Sequence, residues 1–125
     1  MKKIINSTNA PAPIGPYSQA TYAEHTLYVS GQIPLDPATG ELVMGSIEEE
    51  THQVMKNLLA ILREAGGDFA NVLKCSIFVT NMEDFARINE VYGEYFKQEP
   101  PARETVEVSA LPKGVNVEIS CIAII

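Results

Sequence analysis

Only two cysteines, Cys75 and Cys121, occur in 125 residues, and they form no CxxC pair or zinc-ligand spacing. Each lies in a strand-like apolar run, so both are expected to be buried free thiols. Histidine is equally scarce. His25 falls in a hairpin turn and His52 on the polar side of a helix, which is too little for a metal site. Basic residues number 9 against 16 acidic ones, giving a formal charge of −7. That balance argues against a broad surface tracking phosphates, although one arginine in a cleft could still bind a small anion. "GGDF" lacks the spacing of a phosphate or dinucleotide loop. No apolar run reaches the roughly 18 residues of a membrane span, and the apolar stretch of "MKKII" stops at Asn6, too early for a signal peptide. A cytoplasmic address is the default.

What is present reads as one domain over residues 1–125, with no repeat, low-complexity tract or linker. The apolar share of 46% and charged share of 20% are ordinary for a globular chain. "KKII" is a short first strand. "YSQATYA" and "LYVSGQI" alternate with period two around a hairpin connection, and "PLDPATGEL" is a loop. Ser46 and Glu49 have the spacing of a capping box. The helix they open buries Ile47, Val54, Leu58, Ile61, Leu62 and Ala65 and stops at Gly66–Gly67. The run Glu48–Glu50 suits the positive end of that helix and needs no function. "VLKCSIFVT" is a strand with Leu73, Cys75, Ile77 and Val79 on one side. A second helix from about Met82, capped by Asn81 or Thr80, presents Phe85, Ile88, Tyr92, Tyr95 and Phe96 and ends at Pro100–Pro101. "ETVEVS" and "VNVEISCIAII" are the closing strands. Right-handed crossovers would put both helices on one face of an α+β sheet. The bare face then carries Phe78, Ile122 and Ile124, which predicts a closed homo-oligomer.

Several residues could carry chemistry. Arg103 follows a stiff proline pair, and its guanidinium matches a carboxylate bidentately. The plainer alternative is a surface salt bridge to Glu104 or Glu107. Glu118 sits in an otherwise uncharged strand, where it could activate water or simply lie on a solvated face. Gly31 weakens its strand unless something approaches the backbone closely, or unless a bulge falls there. Ser30 has neither a GxSxG elbow nor a nearby histidine, which leaves hydrogen bonding rather than nucleophilic attack. Tyr17 follows the turn "IGP", which could present its hydroxyl, although a core position is the commoner fate of an aromatic.

Together, "IGPYSQA", "LYVSGQIP", "NMEDFARINEVYGEYF" and "PPARETVEVSALPKGVNVEIS" resemble the RidA (YjgF) family over essentially the whole chain. The resemblance implies a chorismate-mutase-like mixed sheet with two helices on one face, assembled as a homotrimer with a cleft at each subunit boundary. It implies that the last strand runs antiparallel between the strands of Ser30 and Cys75, with Glu118 beside Ser30. It further implies hydrolysis of 2-iminobutanoate and 2-iminopropanoate to 2-oxo acids and ammonia, without a cofactor. The family's carboxylate-binding arginine falls on Arg103 and its water-positioning glutamate on Glu118. Its other pocket residues fall on Tyr17, Ser30, Gly31 and Asn89, while Thr105 stands where many members have cysteine. The competing reading is a non-enzymatic sensor of 2-oxo acids. Ribonuclease activity, associated with parts of the family, is disfavoured by the acidic balance and the lack of a basic stripe.

Overall fold

A tight reversal at Glu24 and His25, with φ of 47° and 67°, joins the first two long strands. These left-handed positions match the twist of a two-residue hairpin. The computed structural model describes residues 1–125, with six strands and two α-helices. The strands are β1 (Lys3–Ile5), β2 (Ala20–Ala23), β3 (Thr26–Gln32), β4 (Val72–Val79), β5 (Ala102–Glu107) and β6 (Val117–Ile124). The helices are α1 (Ile47–Glu64) and α2 (Phe85–Tyr95). The sheet order is β1-β2-β3-β6-β4-β5, with β4 and β5 parallel and every other pair antiparallel. The last strand therefore inserts between β3 and β4, and the two closing strands never pair with each other.

Both helices pack on one face of this sheet. Val54, Leu58, Ile61 and Leu62 of α1 and Ile88 and Tyr92 of α2 join Leu27, Val29, Cys75, Ile77, Val79, Ile119 and Cys121 in one core cluster. Cys75 and Cys121 are free, buried and directly opposite one another. Truncating a fully buried side chain such as Leu58 to alanine would cost about 2–5 kcal/mol. The other face carries Tyr28, Val106 and Ile124, each more than two-fifths exposed, beside half-buried Phe78 and Ile122.

Local features depart from the sequence pattern in three places. Leu73 does not share the side of Cys75, Ile77 and Val79, because a register shift between Val72 and Lys74 changes the alternation. Val72 is buried in its place and Leu73 is 52% exposed. Only half of the capping box forms: Ser46 Oγ accepts from the Glu49 N–H at 3.1 Å, whereas the Glu49 carboxylate lies against Gly45. The second helix begins with a 3-10 turn at Met82–Asp84, whose cap Asn81 accepts from the Glu83 N–H at 3.0 Å. α1 stops as expected, since Gly66 takes φ of 89° and the Gly67 N–H bonds to Leu62 O.

Candidate functional site

Glu118 lines a cavity of ≈ 310 Å³ with Ile14, Tyr17, Ser30, Gly31, Ile33 and Pro112. Each wall has a local cause. Buried Gln19 ties down the incoming loop by accepting from the Ser7 N–H at 2.6 Å and donating to Pro11 O at 2.9 Å. Between Val29 and Gln32 the β3–β6 register slips, so Ser30 and Gly31 together oppose a single residue, Ser120. This bulge turns Ser30 toward the cavity and leaves the Gly31 backbone bare beneath the Glu118 carboxylate. A Cβ at Gly31 would overlap that carboxylate, so both reasons for a strand glycine, a bulge and a close approach, operate here.

The polar atoms of this cavity have defined roles. Ser30 Oγ donates to Ser18 O at 2.6 Å, so its oxygen remains available only as an acceptor. Tyr17 Oη accepts from the Ile14 N–H at 3.3 Å, which leaves the phenolic proton free to donate. No cation lines the cavity, and burial pushes the Glu118 carboxyl above its ordinary value. A carboxylate held this way is a better proton acceptor than one paired with a cation.

Arg103 faces a second cavity, of ≈ 390 Å³, with Asn89, Tyr92, Gly93, Phe96, Pro100 and Pro101. Its guanidinium carbon lies 5.3 Å from the ring centroids of Phe85 and of Tyr92, within cation–π range. Its Nη1 donates to Asn89 Oδ1. No carboxylate pairs with it. Glu104 bonds instead to Lys74 at 3.0 Å and to Ser76, and Glu107 accepts from the Met82 N–H at 2.7 Å. The surface salt bridge that sequence alone allowed for Arg103 is therefore absent, and its positive fork is held by rings and an amide.

The two cavities lie on opposite faces of the sheet. Arg103 is in register with Cys75 on the helix-covered face, whereas Glu118 is in register with Phe78 on the bare face. Thr105 follows Arg103 on the helix side, in register with Ile77, and lines neither cavity. Its Oγ1 is buried without a hydrogen-bond partner. One chain thus gathers Tyr17, Ser30, Gly31 and Glu118 in one place and Arg103 with Asn89 in another. Sequence reasoning did not assign the rings flanking Arg103 to the site. The sequence pattern places Phe85 and Tyr92 on the apolar face of the second helix, yet their spacing from Asn89 already puts all three on one helical surface.

Comparison with known proteins agrees with this architecture. A family model described as Endoribonuclease L-PSP matches residues 7–125. The 2-iminobutanoate/2-iminopropanoate deaminase of Mus musculus is 49% identical over 124 residues, covering 99% of this chain and 92% of the relative. A Yersinia pestis protein of the Rid family, YyfA, described as of unknown function, superposes with a TM-score of 0.98 at 50% identity over the whole of both chains. The Escherichia coli protein TdcF, solved with bound serine, gives a TM-score of 0.94 at 38% identity over 98% of each chain. The chain belongs to the Endoribonuclease L-PSP family, the RidA (YjgF) group that its four motifs resemble.

Proposed function

We propose that this protein hydrolyses small 2-imino acids to 2-oxo acids and ammonia, in clefts formed where the Arg103 side of one chain meets the Glu118 side of the next in a closed homotrimer. The carrying observation is the state of Arg103, a cation without a carboxylate partner, clasped by two rings and an amide at a cavity mouth. Such a fork is ready for the carboxylate of a small acid. The bare sheet face, with Tyr28, Val106 and Ile124 exposed, supplies apolar surface for the contact between chains. The deaminase name of the mouse relative and the serine held by the E. coli relative support a small substrate bearing a carboxylate.

In the proposed reaction Arg103 grips the carboxylate and so places the neighbouring imine carbon. Glu118 takes a proton from a water whose oxygen forms a bond to that carbon while the C=N π pair moves to nitrogen, and it passes that proton to the nitrogen, giving a neutral carbinolamine. Tyr17 donates to the developing oxygen or nitrogen, and Ser30 accepts from an N–H or from the water. Glu118 then takes the carbinolamine hydroxyl proton and delivers it to the nitrogen as the C–N bond breaks, so that ammonia leaves, the carbonyl remains and the carboxylate is restored. Asn89 steadies Arg103, and Gly31 allows the close approach of Glu118. Thr105 Oγ1, buried and unpartnered, is available as a hydroxyl close to Arg103 along β5. Imines already hydrolyse in water, so positioning and one base suffice without a cofactor. The formal charge of −7 disfavours the nucleic-acid chemistry in the family's description.

The test is an assay of freshly generated 2-iminobutanoate, following ammonia and 2-oxobutanoate. The expected result is acceleration above the spontaneous rate, lost in Arg103→Ala with the assembly intact. Binding of the 2-oxo acid without any acceleration would replace this reading with that of a sensor using the same arginine.

A further inference from the structure

We infer that Glu50, a residue outside both cavities, is a positioning residue for Glu118 and acts through Asn116. Glu50 is 2% exposed on α1 and has no cationic partner. Both of its carboxylate oxygens serve one residue: Oε1 accepts from the Asn116 N–H at 3.0 Å, and Oε2 from Asn116 Nδ2 at 2.7 Å. Asn116 is held from the other side as well. Its Oδ1 accepts from Thr80 Oγ1 at 3.2 Å, and its backbone O accepts from the Thr80 N–H at 3.2 Å. A carboxylate buried without a cation is costlier than a neutral amide, so this grip costs more than simple packing would require.

The grip acts at the leading end of β6. Asn116 immediately precedes Val117, which is fully buried, and Glu118 follows. Strand side chains alternate across the sheet, so the roll of the backbone at 116 and the burial of Val117 together set the direction of Glu118. On the other side of Asn116, buried Val115 leads back to the turn Pro112–Gly114, where Lys113 and Gly114 take φ of 58° and 71°. Pro112 of that turn lines the Glu118 cavity. One buried carboxylate thus holds both the proposed base and a wall of its chamber.

This inference rests on the deaminase reading, and its test separates the two. Glu50→Gln keeps the shape and one acceptor but sets amide against amide at Asn116 Nδ2. The double variant Glu50→Gln/Asn116→Asp reverses donor and acceptor while leaving an oxygen for Thr80. Glu50→Gln is expected to lower kcat about 10-fold or more, with KM and the Kd of 2-oxobutanoate within about twofold. The double variant is expected to recover to within about threefold of wild type. A lower Tm with kcat unchanged, or a rise in KM without a fall in kcat, would mean a merely structural pair and overturn the inference.

Carboxyl 13C NMR supplies a readout free of turnover. Within one chain Tyr17 is the only other titratable side chain lining the Glu118 cavity, and in the proposed cleft Arg103 of the next chain, always charged, faces it too, so the Glu118 titration reports its placement. It should shift in Glu50→Gln and return in the double variant; no movement overturns the inference. Absence of imine turnover in wild type would sink the deaminase reading, and the titration series would then decide this one. Should Glu50→Gln not fold, Thr80→Val removes only the outer bond and should show the same kcat effect at about threefold.

Discussion

The Glu118 carboxylate lies directly over the α-carbon of Gly31: a Cβ built there would stand 2.5 Å from Oε2 and 2.8 Å from Cδ. Only the far end of a flexible side chain is in the way, so Gly31→Ala displaces the carboxylate rather than the strand. The variant is expected to keep a Tm close to wild type and to lose turnover by about 100-fold, the usual cost of misplacing a reacting group by an ångström. A comparison of melting curves with steady-state rates checks it. Loss of fold and rate together would contradict the local origin of the effect.

Arg103 and Glu118 cannot meet across their own sheet, so the proposed cleft between chains predicts complementation. Arg103→Ala and Glu118→Gln should each be inactive alone, with Glu118→Gln still binding 2-oxobutanoate. Refolded together in equal amounts, they should recover about a quarter of wild-type turnover, since random closed assembly pairs an intact arginine with an intact glutamate in roughly that share of clefts. Zero recovery in verified mixed assemblies would contradict the shared cleft.

Asn89 bonds to the guanidinium, whereas Glu118 stands on another surface. Its removal is therefore expected to act on binding. Asn89→Ala should raise KM and the Kd of 2-oxobutanoate about tenfold, the worth of one hydrogen bond to a charged group, with kcat within about threefold. Calorimetric titration beside kinetics would show the split. A fall confined to kcat would assign Asn89 to the chemical step instead.

Much of this architecture was legible in the chain itself. Period-two alternation and the Gly66–Gly67 stop located the elements, because each is a short-range rule obeyed without help from the rest of the fold. The sheet order came only through family resemblance, since nothing local tells β6 to insert between β3 and β4. The freedom of Arg103 was not legible either. It depends on Glu104 finding Lys74 across the parallel β4–β5 pair, which is a matter of register. The triplet Glu48–Glu50 read as one acidic helix start, yet its members part. Glu48 bonds to Arg87 of α2 at 2.6 Å, Glu49 folds back on Gly45, and Glu50 is buried on Asn116. Identical side chains in sequence are sorted only by what packs against each.

Burial raises the Glu118 carboxyl above its ordinary value of 4.5, and the sign of the consequence for stability can be worked through. The folded state favours the protonated form more than the unfolded state does. The contribution of Glu118 to stability is therefore full below the unfolded value and is lost as pH rises through the folded one. At neutral pH the chain holds a partly buried charge that a glutamine of equal size would not carry. Compared in the Arg103→Ala background, where no cation of the next chain offsets that charge, Glu118→Gln should accordingly melt higher than its parent at pH 7, and the gain should vanish near pH 4, about where the unfolded carboxyl itself takes up its proton. In the proposed reaction the rate runs the opposite way, because activation of water by Glu118 would need the unprotonated form: wild-type turnover should fall as pH drops through the same raised value. Melting curves of both proteins across that range, set beside the wild-type pH–rate profile, check both limbs. An equal gain in Tm at both pH values would mean that something other than the buried charge separates the two proteins. A rate indifferent to pH in that window would remove Glu118 as the base.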